Sequence, residues 1–551
     1  MSNGFFKKMG LAFLLVIVFV LLVPKPTLAA DTEGCLTCHG QPGFNTIING
    51  KTVSLYVDGD KMSLGMHKDR KCSDCHPGFL GGTAGGAEGP HSAAQISTYS
   101  KDALNSCQKC HDKAFWEYKN GPHGKGADKG EANAPTCSRC HEKHYSGATK
   151  DETSNTYKVN SPEKLCEPCH EEAFKTYDEN YHGKMVVQFG YKRSASCSDC
   201  HGAHKANPLT NKQDAIKACE KCHPGANENF IGYAVHGDEN DAKNYPMMFY
   251  IKWIMAILLV VVLAFFYLHS LLWAIKDIQV LRAEHKAEAA GKPAESGGEA
   301  YTMGVLAEEP KHEAVLYRRF NWFHIAMHYL MMFSFLALVF TGMPLRYRGA
   351  AWAKAMVTTM GGPGATGIIH RIAAAITLFY FLAEVVYGVG YCYIVKRAPI
   401  FGPDSMFPRW KDIKDLGNNM KYFVGRGEKP MFDRYTYWEK FDYLAVFWGM
   451  FAIGATGLFL WFPVFFASFI PGQIFNVSTI MHSDEAVLAA FFIFIVHWFN
   501  THWRPGKFPM DPVIFTGIIT EEEIKEERPL EWKRMESDPE LRKRMRIERK
   551  K

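Results

Sequence analysis

Seven times between residues 35 and 223 the chain reads Cys-x-x-Cys-His, and these motifs use 14 of its 15 cysteines. They are Cys35-Cys38-His39, Cys72-Cys75-His76, Cys107-Cys110-His111, Cys137-Cys140-His141, Cys166-Cys169-His170, Cys197-Cys200-His201 and Cys219-Cys222-His223. This spacing is the attachment site of c-type haem: two thiols bond the vinyl groups and the adjacent histidine is the proximal iron ligand. A lone motif also reads as a redox dithiol or half a zinc site, but seven in succession leave little room for either. Residues 31–246 provide only about 31 residues per motif. A segment so rich in Gly, Lys and Asp has too few apolar residues for an ordinary core. The porphyrins would then be the core, as disulfides are in small secreted domains. The expected structure is short helices at the motifs, long loops and almost no sheet.

The same segment holds seven further histidines, His67, His91, His123, His144, His182, His204 and His236. Surface histidines are common, but these keep phase with the motifs in an internal repeat. Cys107–His144 reads CQKCHDKAFWEYKNGPHG…CSRCHEKH, and Cys166–His204 reads CEPCHEEAFKTYDENYHG…CSDCHGAH. His123 follows Cys107 by 16 residues, and His182 follows Cys166 by 16. The second motif of each copy carries another histidine three residues on, His144 or His204. Cys219–His236 is a half copy with a spacing of 17, and residues 35–91 are a divergent first copy supplying His67 and His91. Seven motifs and seven spare histidines imply bis-His coordination throughout, with the partners unassigned because distal ligands can cross between copies. A fully ligated set reads as an electron wire. Reduction of a small nitrogen or sulfur oxide would need an open iron, most plausibly where His91 is the partner.

Lys7 and Lys8, the apolar run Leu11–Val23 and the sequence PTLAA mark residues 1–30 as a secretory signal. Export agrees with haem c attachment. Five apolar runs follow, near 248–275, 321–342, 367–395, 441–467 and 484–503. Each approaches or exceeds the roughly 20 residues that span a bilayer. Lys276, Arg282 and Lys286, then Arg318 and Arg319, Lys396 and Arg397, Lys421, Arg426, Lys429, Arg434 and Lys440, and the terminal RKRMRIERKK flank one set of ends. Loops 343–366 and 468–483 carry only Arg346, Arg348 and Lys354. The positive-inside rule then puts the motif-bearing segment in the periplasm and the C-terminus in the cytoplasm of a bacterial inner membrane. The net charge of +6 belongs to these inner loops, not to nucleic-acid binding. The expected domains are a haem c domain at 31–246, a tether helix at 247–276 and a cytoplasmic linker at 277–316, flexible over 283–316. A four-helix domain at 317–505 and a solvated cytoplasmic tail at 506–551 complete the chain.

Histidines inside spans are costly and point to function. His482 and His497 are 15 residues apart, about 22 Å along a helix, which places one near each membrane face. Span two enters from inside, which puts His328 in the inner half; span three enters from outside, which puts His370 near the outer face. Depth alone therefore matches His370 with His482 and His328 with His497. Such pairs hold b-type haem in helix bundles; hydrogen-bonded interhelical histidines are the alternative.

The stretches MHYLMMFSFLALVFTG, GIIHRIAAAITLF and MHSDEAVLAAFFIFIVHW resemble the ligand-bearing helices of the four-helix cytochrome b family. That family includes the formate dehydrogenase gamma subunit, thiosulfate reductase cytochrome b and hydrogenase cytochrome b. The resemblance covers 314–505 and implies the same four ligands, His328, His370, His482 and His497, with two haem b and a quinone near the inner one. The whole chain resembles the Cbc-type inner-membrane quinone-linked cytochromes of metal-reducing bacteria. It departs from the b family in its extra first span, and in His324 and His502, which compete with His328 and His497 as ligands. His324, His269 and His502 are the candidate quinone-site residues, with Asn500 and Tyr437-Trp438-Glu439-Lys440 also near the inner face; Cys392 reads as packing. The expected activity is (mena)quinol oxidation, with electrons leaving through two haem b and seven haem c to periplasmic c-type cytochromes. Reverse quinone reduction, or service as the electron-transfer anchor of further complex subunits, are the alternatives.

Overall fold

A computed structural model describes residues 32–48, 51–76, 105–148, 150–290, 315–505 and 507–547. The signal sequence, His91 and most of the linker lie outside the described residues. The chain divides into two units, up to Cys222 and from His223 onward.

The first unit is built of short helices, with one hairpin of β1 (Asn45–Ile48) and β2 (Lys51–Ser54). Its repeat is visible in three dimensions. Helix α1 (Asp112–Asn120) begins directly after His111, and α2 (Glu171–Glu179) directly after His170. The tyrosine near the end of each helix donates its hydroxyl to a carbonyl just before the next motif: Tyr118 to Pro135 at 3.0 Å, Tyr177 to Ala195 at 2.8 Å. The chain then turns back so closely that a side chain at Gly124 or Gly183 would collide with the carbonyl of Tyr118 or Tyr177. That contact explains why glycine follows both His123 and His182. At the Cys197 motif, the Asp199 carboxylate caps the helix by accepting from the Ser196 backbone N–H at 2.7 Å.

The second unit contains five helices long and apolar enough to cross a membrane. They are α3 (Pro246–Ala289), α4 (Trp322–Arg346), α5 (Pro363–Val385, continuing to Val395 with π-type winding), α7 (Tyr437–Trp461) and α8 (Gln473–Phe491, wound on to Trp503). Between them α6 (Trp410–Phe423) is amphipathic. Helix α4 packs on α5, α7 on α8, and α8 also on α3 and α4. Large apolar side chains such as Tyr250, Trp253, Ile257, Val260 and Phe265 remain exposed along α3, as a lipid-facing surface requires.

Three boundaries differ from the sequence expectation. Span five starts at Gln473, not 484, because its first turns are polar yet packed, with Asn476 and Ser478 buried. Span four stops at Trp461, where Pro463 opens a separate short helix. Helix α3 continues through 277–289 into the expected flexible linker, since DIQVLRAEHKAEA holds strong helix formers and no Gly or Pro.

The expected solvated tail is instead folded. Strand β3 (Leu316–Arg318) pairs antiparallel with β4 (Ile518–Thr520). Tyr317, Ile524, Trp532 and Met535 form a buried cluster with Val513 and Ile519. Around it Arg319 and Arg434 both bind Glu531, and Arg528 binds Glu439 at 3.1 Å. Lys507, 4 % exposed, lies among Asp511, Glu523 and Glu527. These buried cations each have a carboxylate partner, the condition under which burial is tolerated.

Candidate functional site

Four motif histidines in the first unit each face a spare histidine. Ring centres are 6.0 Å apart for His67 and His111, and 6.1 Å for His76 with His144, His123 with His170, and His141 with His204. Imidazole–metal bonds are about 2 Å, and a ring nitrogen lies about 1 Å from its ring centre, so two rings across one iron sit about 6 Å apart. His141 and His204 are only 20° from parallel, yet their spacing exceeds the roughly 4 Å of face-to-face carbon contact. It matches the separation of two imidazoles that would share one metal ion. Partners cross between copies of the repeat: His123, next in sequence to the Cys107 motif, faces the histidine of the Cys166 motif. Outer nitrogens are held as ligands require: His39 Nδ1 lies 2.9 Å from Leu55 O, and His201 Nδ1 2.7 Å from Asn207 O.

Motif thiols also follow one another in chain order. Cys75 lies near Cys107 and Cys110, Cys107 against Cys137, and Cys140 near Cys166 and Cys169. Cys166 lies against Cys197, and Cys200 near Cys219 and Cys222. The two closest contacts join the two motifs within one copy of the repeat. None of these cysteines is paired in a disulfide. Among the described residues, no three His, Cys, Asp or Glu side chains converge as a metal-binding group.

In the second unit the ring centres of His370 and His482 are 6.4 Å apart. His370 Nδ1 donates to the Thr341 hydroxyl at 2.8 Å, and His482 Nδ1 to Ile453 O at 3.1 Å and Thr456 Oγ1 at 3.3 Å. Each threonine gives its own proton to a carbonyl one turn back, Ala337 or Ala452, at 2.6 Å. The hydroxyls must therefore accept, which fixes the Nδ1–H tautomer and leaves each Nε2 lone pair for a metal. Beside each threonine is a glycine facing the same ring. A Cβ at Gly342 would stand 3.4 Å from His370 Cε1, and one at Gly457 3.0 Å from His482 Cε1. Thr341-Gly342 and Thr456-Gly457 thus play the same part on α4 and α7. Sequence reasoning passed over both; the recurrence of Thr-Gly in two spans was the available signal.

The second level is nearer the folded tail. His497 Nδ1 donates to Asp442 Oδ2 at 3.1 Å, and both His497 and His502 lie within electrostatic range of His328. From His328 to Thr341, Asp442 to Thr456, and His482 to His497 are 13, 14 and 15 residues, about 20–22 Å on each helix. Three helices thus separate the two levels equally. Asp442, a carboxylate in the second turn of a span, is a further residue that the sequence reading missed.

The three candidate quinone-site residues do not converge. His269, 1 % exposed, shares a hydrogen bond through Nε2 with the Tyr437 hydroxyl, which also accepts from Asn419 Nδ2 at 2.8 Å, within a cage of Phe266, Trp273 and Phe423. His324 faces Glu384 at 3.7 Å and Tyr387. His502 accepts the Asp511 backbone N–H at 3.4 Å and stacks on Phe515, beside the His328 and His497 level. One turn before His502's end of the helix, Asn500 is buried with neither amide atom hydrogen-bonded, and His269 Nδ1 is likewise unpartnered. Unpaired buried groups of this kind cost about 1–3 kcal/mol each, which a polar ligand atom bonded there would recover. No family model matches the chain, and no curated protein matches it.

Proposed function

We propose that the protein is an inner-membrane quinol dehydrogenase of the Cbc type, with seven haem c in a periplasmic N-terminal domain and two haem b in a four-helix bundle. It takes electrons from menaquinol and delivers them to periplasmic c-type cytochromes. The observation that carries this reading is the pairing of His370 with His482 between apolar helices, at a ring spacing of 6.4 Å, close to the 6.0–6.1 Å of the four pairs among the motifs. Bound haem supplies the one-electron couple at each site. The chain supplies axial nitrogens held in one tautomer, a dry helical setting and a line of neighbouring motifs. Among the described residues, four motif histidines, His76, His111, His141 and His170, each face a spare histidine.

Quinol oxidation releases two electrons and two protons. Asn500 offers an acceptor and a donor to the quinol oxygens. His502, whose Nδ1 is taken by Asp511, adds an Nε2–H donor. His324 with Glu384 is a histidine–carboxylate couple that can take up the released protons. His269 on α3, hydrogen-bonded to Tyr437 on α7, braces the extra span against this end. The test is anaerobic addition of a reduced menaquinol analogue to the haem-loaded protein. The proposal expects b-type and then c-type alpha bands to rise. If neither rises although dithionite reduces both, the quinol-oxidising function is wrong.

A further inference from the structure

The two histidine levels in the membrane helices differ in one chemical respect. At the His370–His482 level every Nδ1–H ends on a neutral oxygen: Thr341 Oγ1, Thr456 Oγ1 or Ile453 O. At the other level His497 Nδ1–H ends on a carboxylate, Asp442 Oδ2, at 3.1 Å. Among the described residues, no lysine or arginine pairs with that carboxylate. Lys440, two residues before it, is committed to Asp412 at 2.9 Å, and Arg319 and Arg528 are committed to Glu439 and Glu531. Asp442 Oδ1 is buried without a partner, so the hydrogen bond of this carboxyl goes to His497. Beside His370, by contrast, stands the cation Arg371, within electrostatic range of its ring.

A carboxylate on the outer nitrogen makes imidazole a more basic ligand, and a basic ligand favours the oxidised metal. A neutral hydroxyl does less, and a nearby cation favours the reduced state. Hydrogen bonding to axial ligands and local charge are among the means by which a protein sets haem potential.

We propose that Asp442 holds the His328–His497 site at a lower reduction potential than the His370–His482 site, which biases electron flow from the tail end of the helices toward the opposite end. Asp442 acts here as a positioning and tuning residue through His497. The inference rests on the haem b reading above and deepens it: it makes the step from the His328–His497 site to the His370–His482 site downhill. Glu485, buried one turn from His482, is the acid that could offset the difference, and it serves as the control.

The test is potentiometric titration of the b-type alpha band in the full haem-loaded chain. Two components are expected. Asp442→Asn should raise only the lower one, by about tenfold in the electron-exchange constant, or about 59 mV for one electron. Asp442→Glu should restore it, Thr341→Val should move only the upper component, and Glu485→Gln should leave their order unchanged. His370→Ala, which needs no change at Asp442, should leave a single b component at the lower of the two wild-type potentials. The inference is overturned if Asp442→Asn shifts the upper component or neither, if Glu485→Gln reverses the order, or if His370→Ala leaves the higher potential. Absence of any b-type band under dithionite would instead sink the haem b reading itself.

Discussion

Replacing Gly457 with alanine should strip haem from one membrane site while leaving the helices intact. The new Cβ would lie 3.0 Å from His482 Cε1 and 3.4 Å from its Nδ1. Carbon atoms in contact prefer about 3.5–4.0 Å, so the ring must retreat by roughly 0.5–1 Å, losing its hydrogen bonds to Ile453 and Thr456. Overpacking of this kind costs about 1–3 kcal/mol, which lowers haem affinity at this site by about 5- to 150-fold. Alanine is the better helix former by about 1 kcal/mol, so α7 itself gains. Gly342→Ala is the matched control: its Cβ would meet His370 Cε1 at 3.4 Å, an ordinary contact, with the same helix gain. The assay is the ratio of acid-extractable to covalent haem in protein made under limiting haem. Gly457→Ala should fall from two extractable haems per chain toward one, and Gly342→Ala should keep two. Equal occupancy in both variants, or greater loss in Gly342→Ala, would refute the account of the Thr-Gly pairs.

His123→Ala should open the iron of the Cys166 motif rather than that of the adjacent Cys107 motif. A high-spin ferric signal should appear, vanish when Cys166 and Cys169 are also changed to serine, and persist when Cys107 and Cys110 are changed instead. Ring planes 20° apart at His141 and His204 predict a rhombic low-spin ferric resonance, whereas 67° at His370 and His482 predicts a strongly anisotropic one; loss of the anisotropic component in His370→Ala checks the assignment. The tail should stay docked over a broad pH range and release in acid. Burial alone would raise the Glu527 carboxyl, but Lys507, Arg504 and Arg528 hold it well below its ordinary 4.5. A depressed carboxyl stabilises the fold above that ordinary value, and the contribution is lost as pH falls below it. Limited proteolysis of 507–547 should therefore accelerate below about pH 4.5. Glu527→Gln should cost about 1–3 kcal/mol, since Lys507 keeps Asp511 and Glu523.

Much of the candidate site is legible in residue spacing because axial ligation is a short-range rule. The motif, the repeat and the depth of His370 and His482 follow from counting, and the rings of those two lie side by side. Distal pairing is not legible: whether His123 serves the Cys107 or the Cys166 motif depends on how the chain returns after α1, not on distance along it. The tail misleads for another reason. Its helices, such as Glu521–Glu527 and Pro529–Ser537, are too short for a clear amphipathic period. Ile524, Trp532 and Met535 are scattered among charges, and their partner strand β3 lies some 200 residues earlier. Asp442 escapes notice because a single acid near a span end reads as an interfacial residue until His497 is seen beside it.

The most direct test of the central claim is the haem content of the purified chain, by intact mass and by acid extraction. The account predicts a mass increase of seven covalent haems, with two further haems extractable and b-type in their pyridine spectrum. A chain with unmodified, disulfide-linked or zinc-bound cysteines, or with no extractable haem, would contradict it.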